Sequence, residues 1–110
     1  MTDKYIAYES TRGDAPILGF DDVLIEGMAR DGGLYVPQDM PVLSAAKIKS
    51  FEGKTYQEIA FDVMRPFVGN GFSDDDLASV IDKGYKNFHH PDITSLHRLD
   101  DKAYVLELFH

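Results

Sequence analysis

A chain of 110 residues with 44% hydrophobic and 27% charged residues has the composition of one soluble globular domain, able to bury roughly two-thirds of its unfolded surface. Its 19 acids against 11 bases leave a net charge of -8, which argues against nucleic acid or an anionic membrane surface as partner, while zero cysteines exclude disulfides and thiolate chemistry. No apolar run approaches the ~20 residues of a membrane helix and MTDKYIAYES lacks the apolar core of a signal peptide, so the expected location is the cytoplasm.

The first predicted element is a short strand over Lys4–Tyr8, β-branched and aromatic, ended by the loop STRGDAP with its Gly13 and Pro16. A helix follows in GFDDVLIEGMARDGG: Phe20, Val23, Leu24, Gly27 and Met28 recur at helical spacing, Asp21 and Asp22 suit its N-terminal end, and Gly32-Gly33 stop it. Gly27 then falls on the apolar face, where close packing is expected. Leu34–Pro37 reads as a short extended piece limited by Pro37 and Pro41, and Ser44 caps a short helix in SAAKIKSF.

Thr55 with Glu58 three residues on is a capping box. Tyr56, Ile59, Ala60, Val63, Met64 and Phe67 make the stripe of an amphipathic helix, which Pro66 should bend or terminate. After Gly69-Asn70-Gly71 a further helix, capped by Ser73 with Asp76 at the capping-box position, presents Leu77, Val80, Ile81, Gly84 and Phe88. Its start, Asp74-Asp75-Asp76, reads as a solvated cap on the helix dipole. ITSLHRL is weakly extended, Asp100-Asp101 a turn, and AYVLEL a final strand, expected to pair with the first strand or with another copy of the chain. The fold class is therefore α+β: one small, mostly helical domain of about four helices, with short strands at its start, middle and C-terminal end.

Few residue groups suggest chemistry. His89-His90 and His97 do not form a zinc set, because neighbouring residues rarely point to one centre and no helical His-x-x-x-His pair supports them; no metal is expected. Gly69-Asn70-Gly71 follows a helix and lacks the Lys-Ser/Thr of a phosphate loop, and no Gly-x-Ser-x-Gly elbow occurs. The one compact polar cluster is Ser10-Thr11-Arg12-Gly13. Two hydroxyls, a guanidinium and a turning glycine could form a concave site for a phosphate or carboxylate. Equally, the hydroxyls could satisfy nearby backbone while Arg12 pairs with Asp14 or Asp21. These residues alone do not amount to a self-contained active site.

Read in order, Y-x-S-T-R-G at Tyr8–Gly13, FDDVLIEGMARDGGLYVP, TYQEIAFDVMRPFVG, SDDDLASVIDKGYKNF and LELFH resemble the N-terminal region of bacterial and fungal threonine synthases, in register across essentially the whole chain. The resemblance implies part of a pyridoxal-phosphate enzyme that converts O-phospho-L-homoserine and water into L-threonine and phosphate. It also implies that residues 1–110 pack on a catalytic domain of the same chain and that the family's Schiff-base lysine lies beyond LELFH. None of Lys4, Lys47, Lys49, Lys54, Lys83, Lys86 or Lys102 matches that lysine's motif, so no catalytic or cofactor-binding residue is assigned. The isolated chain is expected to bind no cofactor and to be inactive, with Ser10, Thr11, Arg12 and Gly13 facing the catalytic domain or an anionic substrate.

Overall fold

The computed structural model describes residues 5–110. In chain order it contains β1 (Tyr8–Ser10), α1 (Phe20–Glu26), β2 (Tyr35–Pro37), α2 (Ala45–Lys49), α3 (Tyr56–Val68), α4 (Asp74–Tyr85), β3 (Ser95–Arg98) and β4 (Tyr104–Glu107). The expected α+β class with four helices and short strands is what forms.

α3 and α4 are the antiparallel pair that holds the core. The Thr55 capping box is complete: Thr55 Oγ1 accepts from the Glu58 N–H, and the Glu58 carboxylate accepts from the Thr55 N–H at 2.9 Å. Pro66 sits in the last turn of α3, and the helix ends two residues later at Val68; Gly69 follows as the C-cap at a φ of 58° and a ψ of -131°, which only glycine adopts without strain. Ser73 then caps α4 by accepting from the Asp76 N–H. Ala60 and Val68 of α3 pack on Leu77 and Ile81 of α4, flanked by Phe20, Tyr56, Phe61, Phe72 and Tyr85. The α4 stripe is narrower than its sequence suggests. Leu77, Ile81 and Tyr85 face inward, whereas Val80 is 54% exposed and a Cβ on Gly84 would touch nothing.

Two electrostatic links tie the helices together. The Arg65 guanidinium, buried at the end of α3, donates to Asp74 Oδ1 at 2.5 Å and to the Gly69 carbonyl. Asp74 is thus a partner of the preceding helix as well as part of an acidic cap. Further along, Lys47 of α2 and Lys54 both reach Asp62 of α3, at 3.3 and 3.1 Å. Burial pushes the Asp62 carboxyl upward, but the hydrogen bonds and charges of the two lysines outweigh it and hold it below the ordinary range.

The remaining elements depart further from expectation. The first strand runs over Tyr8–Ser10 instead of Lys4–Tyr8, and Lys4 lies outside the described residues. Its span is set by β2, with which it pairs antiparallel from Tyr8 opposite Pro37 to Ser10 opposite Tyr35. α1 stops at Glu26, short of Met28. Gly27 is not a packing position: its φ of 73° makes the C-terminal turn, its N–H bonds the Val23 carbonyl, and a Cβ there would meet nothing. Finally, β4 pairs with β3 and not with the first strand, Leu96 facing Leu106 across the ladder. The link before β3 holds Ile93 buried at a φ of 63°, which a β-branched residue rarely adopts.

Candidate functional site

The β1–β2 ribbon brings Tyr8–Gly13 beside Asp31–Pro37, two stretches that the sequence separates by a helix. At their junction lies the Asp31 carboxylate. It accepts from the Ser10 hydroxyl, with Oδ1 at 2.7 Å and Oδ2 at 2.8 Å, from the Gly33 N–H at 2.9 Å and from the Asp14 N–H at 3.0 Å. Ser10, itself buried, accepts in turn from the Arg12 N–H at 3.1 Å. The Ser10 hydroxyl, then the Gly33 N–H, hold the Asp31 carboxyl below its ordinary range against some desolvation, with smaller help from Asp14 and the Arg12 charge.

Arg12 and Thr11 complete the knot from outside. The Arg12 guanidinium donates to the Asp31 backbone carbonyl at 3.0 Å, not to the Asp14 or Asp21 carboxylates. Thr11 bonds Leu34 twice, its N–H donating to the Leu34 carbonyl at 2.8 Å and its Oγ1 accepting from the Leu34 N–H at 3.0 Å. Gly13, at a φ of 80°, turns the chain while its N–H returns to the Ser10 carbonyl. Two glycines permit the close approach. A Cβ on Gly33 would press on the Ser10 hydroxyl, and one on Gly32, at a φ of 84°, would lie 2.6 Å from Arg12 Nη1.

The structure therefore gathers Ser10, Thr11, Arg12 and Gly13 in one place, with the hydroxyls turned to internal partners and Arg12 exposed. The carboxylate organising them, Asp31, escaped sequence reasoning, as did Gly33. A signal existed in Asp31-Gly32-Gly33, since an aspartate two residues before a free N–H commonly closes an Asx turn. A further anchor, Tyr8, sits beneath the knot. It packs on Phe20, donates its hydroxyl to the Phe67 carbonyl at 2.5 Å, and burial raises its phenol above the usual value. The ribbon is thereby fixed to the end of α3.

Elsewhere, a cleft of about 750 Å³ lies between the 38–44 loop and α3, lined by Ile6, Met40, Leu43, Lys47, Asp62 and Pro66 among others. Among the described residues no three His, Asp or Glu side chains converge as a metal centre, and no helix is long and apolar enough to cross a membrane. Nor is any described lysine buried, Lys47 and Lys54 being engaged with Asp62.

Residues 7–85, which include the whole Asp31 knot and both core helices, match the family model described as threonine synthase N terminus. The chain belongs to this family. It is 47% identical over 94% of its length to threonine synthase of Pseudomonas aeruginosa and 38% identical over 96% to that of Schizosaccharomyces pombe. Human threonine synthase-like 2 is 34% identical over 94% of the chain. A crystal structure of PLP-bound threonine synthase from Brucella melitensis superposes with a TM-score of 0.87 at 44% identity, over 96% of this chain and 23% of that one. The chain spans 22% of the Pseudomonas relative and 21% of the fission-yeast relative. The threonine synthase family is thus represented here by its N-terminal region.

Proposed function

We propose that the chain is the N-terminal domain of a cytoplasmic threonine synthase, which converts O-phospho-L-homoserine and water into L-threonine and phosphate on a pyridoxal-phosphate-bearing catalytic domain of the same polypeptide. The observation that carries this reading is the 47% identity to a bacterial threonine synthase across nearly the whole chain, against 34% to human threonine synthase-like 2. The cofactor, held by a lysine outside these residues, supplies the electron sink for the chemistry. The domain's own part is to cover the catalytic face and exclude water. The Asp31 knot gives that cover a rigid edge, and the exposed Arg12 faces the catalytic domain or the phosphate of the substrate. By itself the 110-residue chain turns over no substrate.

A chimera tests the proposal: this chain replaces the matching region of the Pseudomonas aeruginosa threonine synthase, and phosphate release from O-phospho-L-homoserine is measured. An active chimera supports it. A soluble, folded but inactive chimera favours a threonine-synthase-like protein with altered or lost activity. Within an active chimera, Arg12→Ala should raise KM or lower kcat. Unchanged KM, kcat and stability would make Arg12 an ordinary loop residue.

A further inference from the structure

The cleft between the 38–44 loop and α3 shares none of its described lining residues with the Asp31 knot. Its volume of about 750 Å³ falls within the range of small-molecule pockets, roughly 300–1,000 Å³. The loop that forms one wall is anchored at both ends. The Gln38 N–H donates to the Ala7 carbonyl at 2.9 Å, and Ser44 Oγ, the cap of α2, accepts from the Lys47 N–H at 3.1 Å. Pro41, midway between these anchors, restricts the backbone further.

Two chemistries meet in the cleft. Ile6, Met40, Pro41, Leu43 and Pro66 supply apolar wall, and Met40 is 62% exposed, so apolar surface is left facing water. At the end formed by α2 and α3, Lys47 Nζ and Lys54 Nζ converge on a single carboxylate oxygen, Asp62 Oδ2, at 3.3 and 3.1 Å. Two ammonium groups against one carboxylate leave a surplus positive charge there. Arg65, the other cation of the lining, is met by Asp74 at 2.5 Å. Asp39, exposed on the loop, is the remaining acid among the described lining residues. In a chain of net charge -8, a locally positive end beside apolar wall is where a small anion is most favoured.

We propose that this cleft binds a small amphiphilic carboxylate, its head group paired with Lys47 and its alkyl or aryl body laid against Met40, Leu43 and Pro66. Lys47 reads the head group: its side chain lines the cleft and is 42% exposed. Lys54, which is not among the lining residues, keeps Asp62 paired when Lys47 turns to the ligand. The site belongs to this domain itself and does not rest on the proposed phosphate-releasing reaction.

Octanoate is the probe, with octylamine and octanol as its cationic and neutral counterparts. Isothermal titration calorimetry at neutral pH is run on the 110-residue chain and on the Pseudomonas chimera, and amide shifts locate the site in the shorter protein. Octanoate should bind both with a Kd of about 1 mM or tighter, at least ~10-fold more tightly than either counterpart. The amide shifts should fall on residues 38–47 and 62–66. Lys47→Gln should weaken octanoate binding at least ~10-fold with the helical circular dichroism unchanged. Leu43→Asp, which sets a carboxylate into the apolar wall, should abolish it. Failure of octanoate to bind, equal affinity for octylamine or octanol, or shifts confined to the β3–β4 hairpin overturns the proposal, as does octanoate binding that survives both substitutions. Binding by the 110-residue chain that is lost in the chimera also overturns it, because the rest of the polypeptide then fills the cleft.

Discussion

The α3–α4 pair and the β3–β4 hairpin have comparable shares of apolar residues but opposite fates. In the helices, Ala60, Val68, Leu77 and Ile81 close on one another and are nearly inaccessible to water. In the hairpin, Leu96, Leu99, Tyr104 and Leu106 stay largely exposed. The difference comes from geometry. Two helices of 13 and 12 residues can each turn an apolar stripe to the other, whereas two four-residue strands lie side by side in one layer and cannot cover their own faces. Hydrophobic sequence alone does not make a core; it needs a second layer.

Substitutions that sharpen this contrast range from large to negligible. Ile81→Ala should destabilise the chain by about 2–5 kcal/mol in chemical denaturation followed by helical circular dichroism, since it opens a cavity between α3 and α4. Gly33→Ala should cost about 1–3 kcal/mol in the same assay, because its methyl group presses on the Ser10 hydroxyl and forces the Asp31 knot apart. Thr55→Ala, which removes one half of the α3 capping box, should cost about 1 kcal/mol.

Acid should act on both regions. Asp31, Asp62 and Glu107 all have folded-state pKa values below their ordinary ones, Glu107 through its bonds from Ser95 and then His110. A depressed carboxylate contributes stability that is complete above about pH 4 and is lost as the pH falls from there through the folded value. Thermal midpoints should therefore decline on acidification below about pH 4, and Asp62→Asn should make that decline shallower. The smallest effect belongs to the hairpin: Leu106→Ala in the 110-residue chain should shift the helical transition by less than about 0.5 kcal/mol, the range of an ordinary surface change. A shift like that of Ile81→Ala would erase the contrast between the two regions.

Legibility in the sequence followed the range of the interactions. The caps at Ser44, Thr55 and Ser73 and the helices behind them could be read because each signal lies within a few residues of its effect. The α1 terminus was misread because Gly27 fits an apolar spacing and a C-terminal turn equally well, and only its φ of 73° decides. In the candidate site, the cluster Ser10–Gly13 was visible, but Asp31 was not, as its partners come from both sides of α1.

By itself the sequence determined an acidic, mostly helical domain, the positions of its caps and a resemblance to threonine synthases that the family match bears out. Only the tertiary structure decided that Asp31 gathers the Ser10 loop, that Tyr8 fastens the ribbon to α3, and that β4 pairs with β3. The physical reason is that capping and periodicity are local properties of the chain. Which carboxylate receives a hydroxyl, and which apolar face finds a second layer, depends on segments that meet only after the chain has folded.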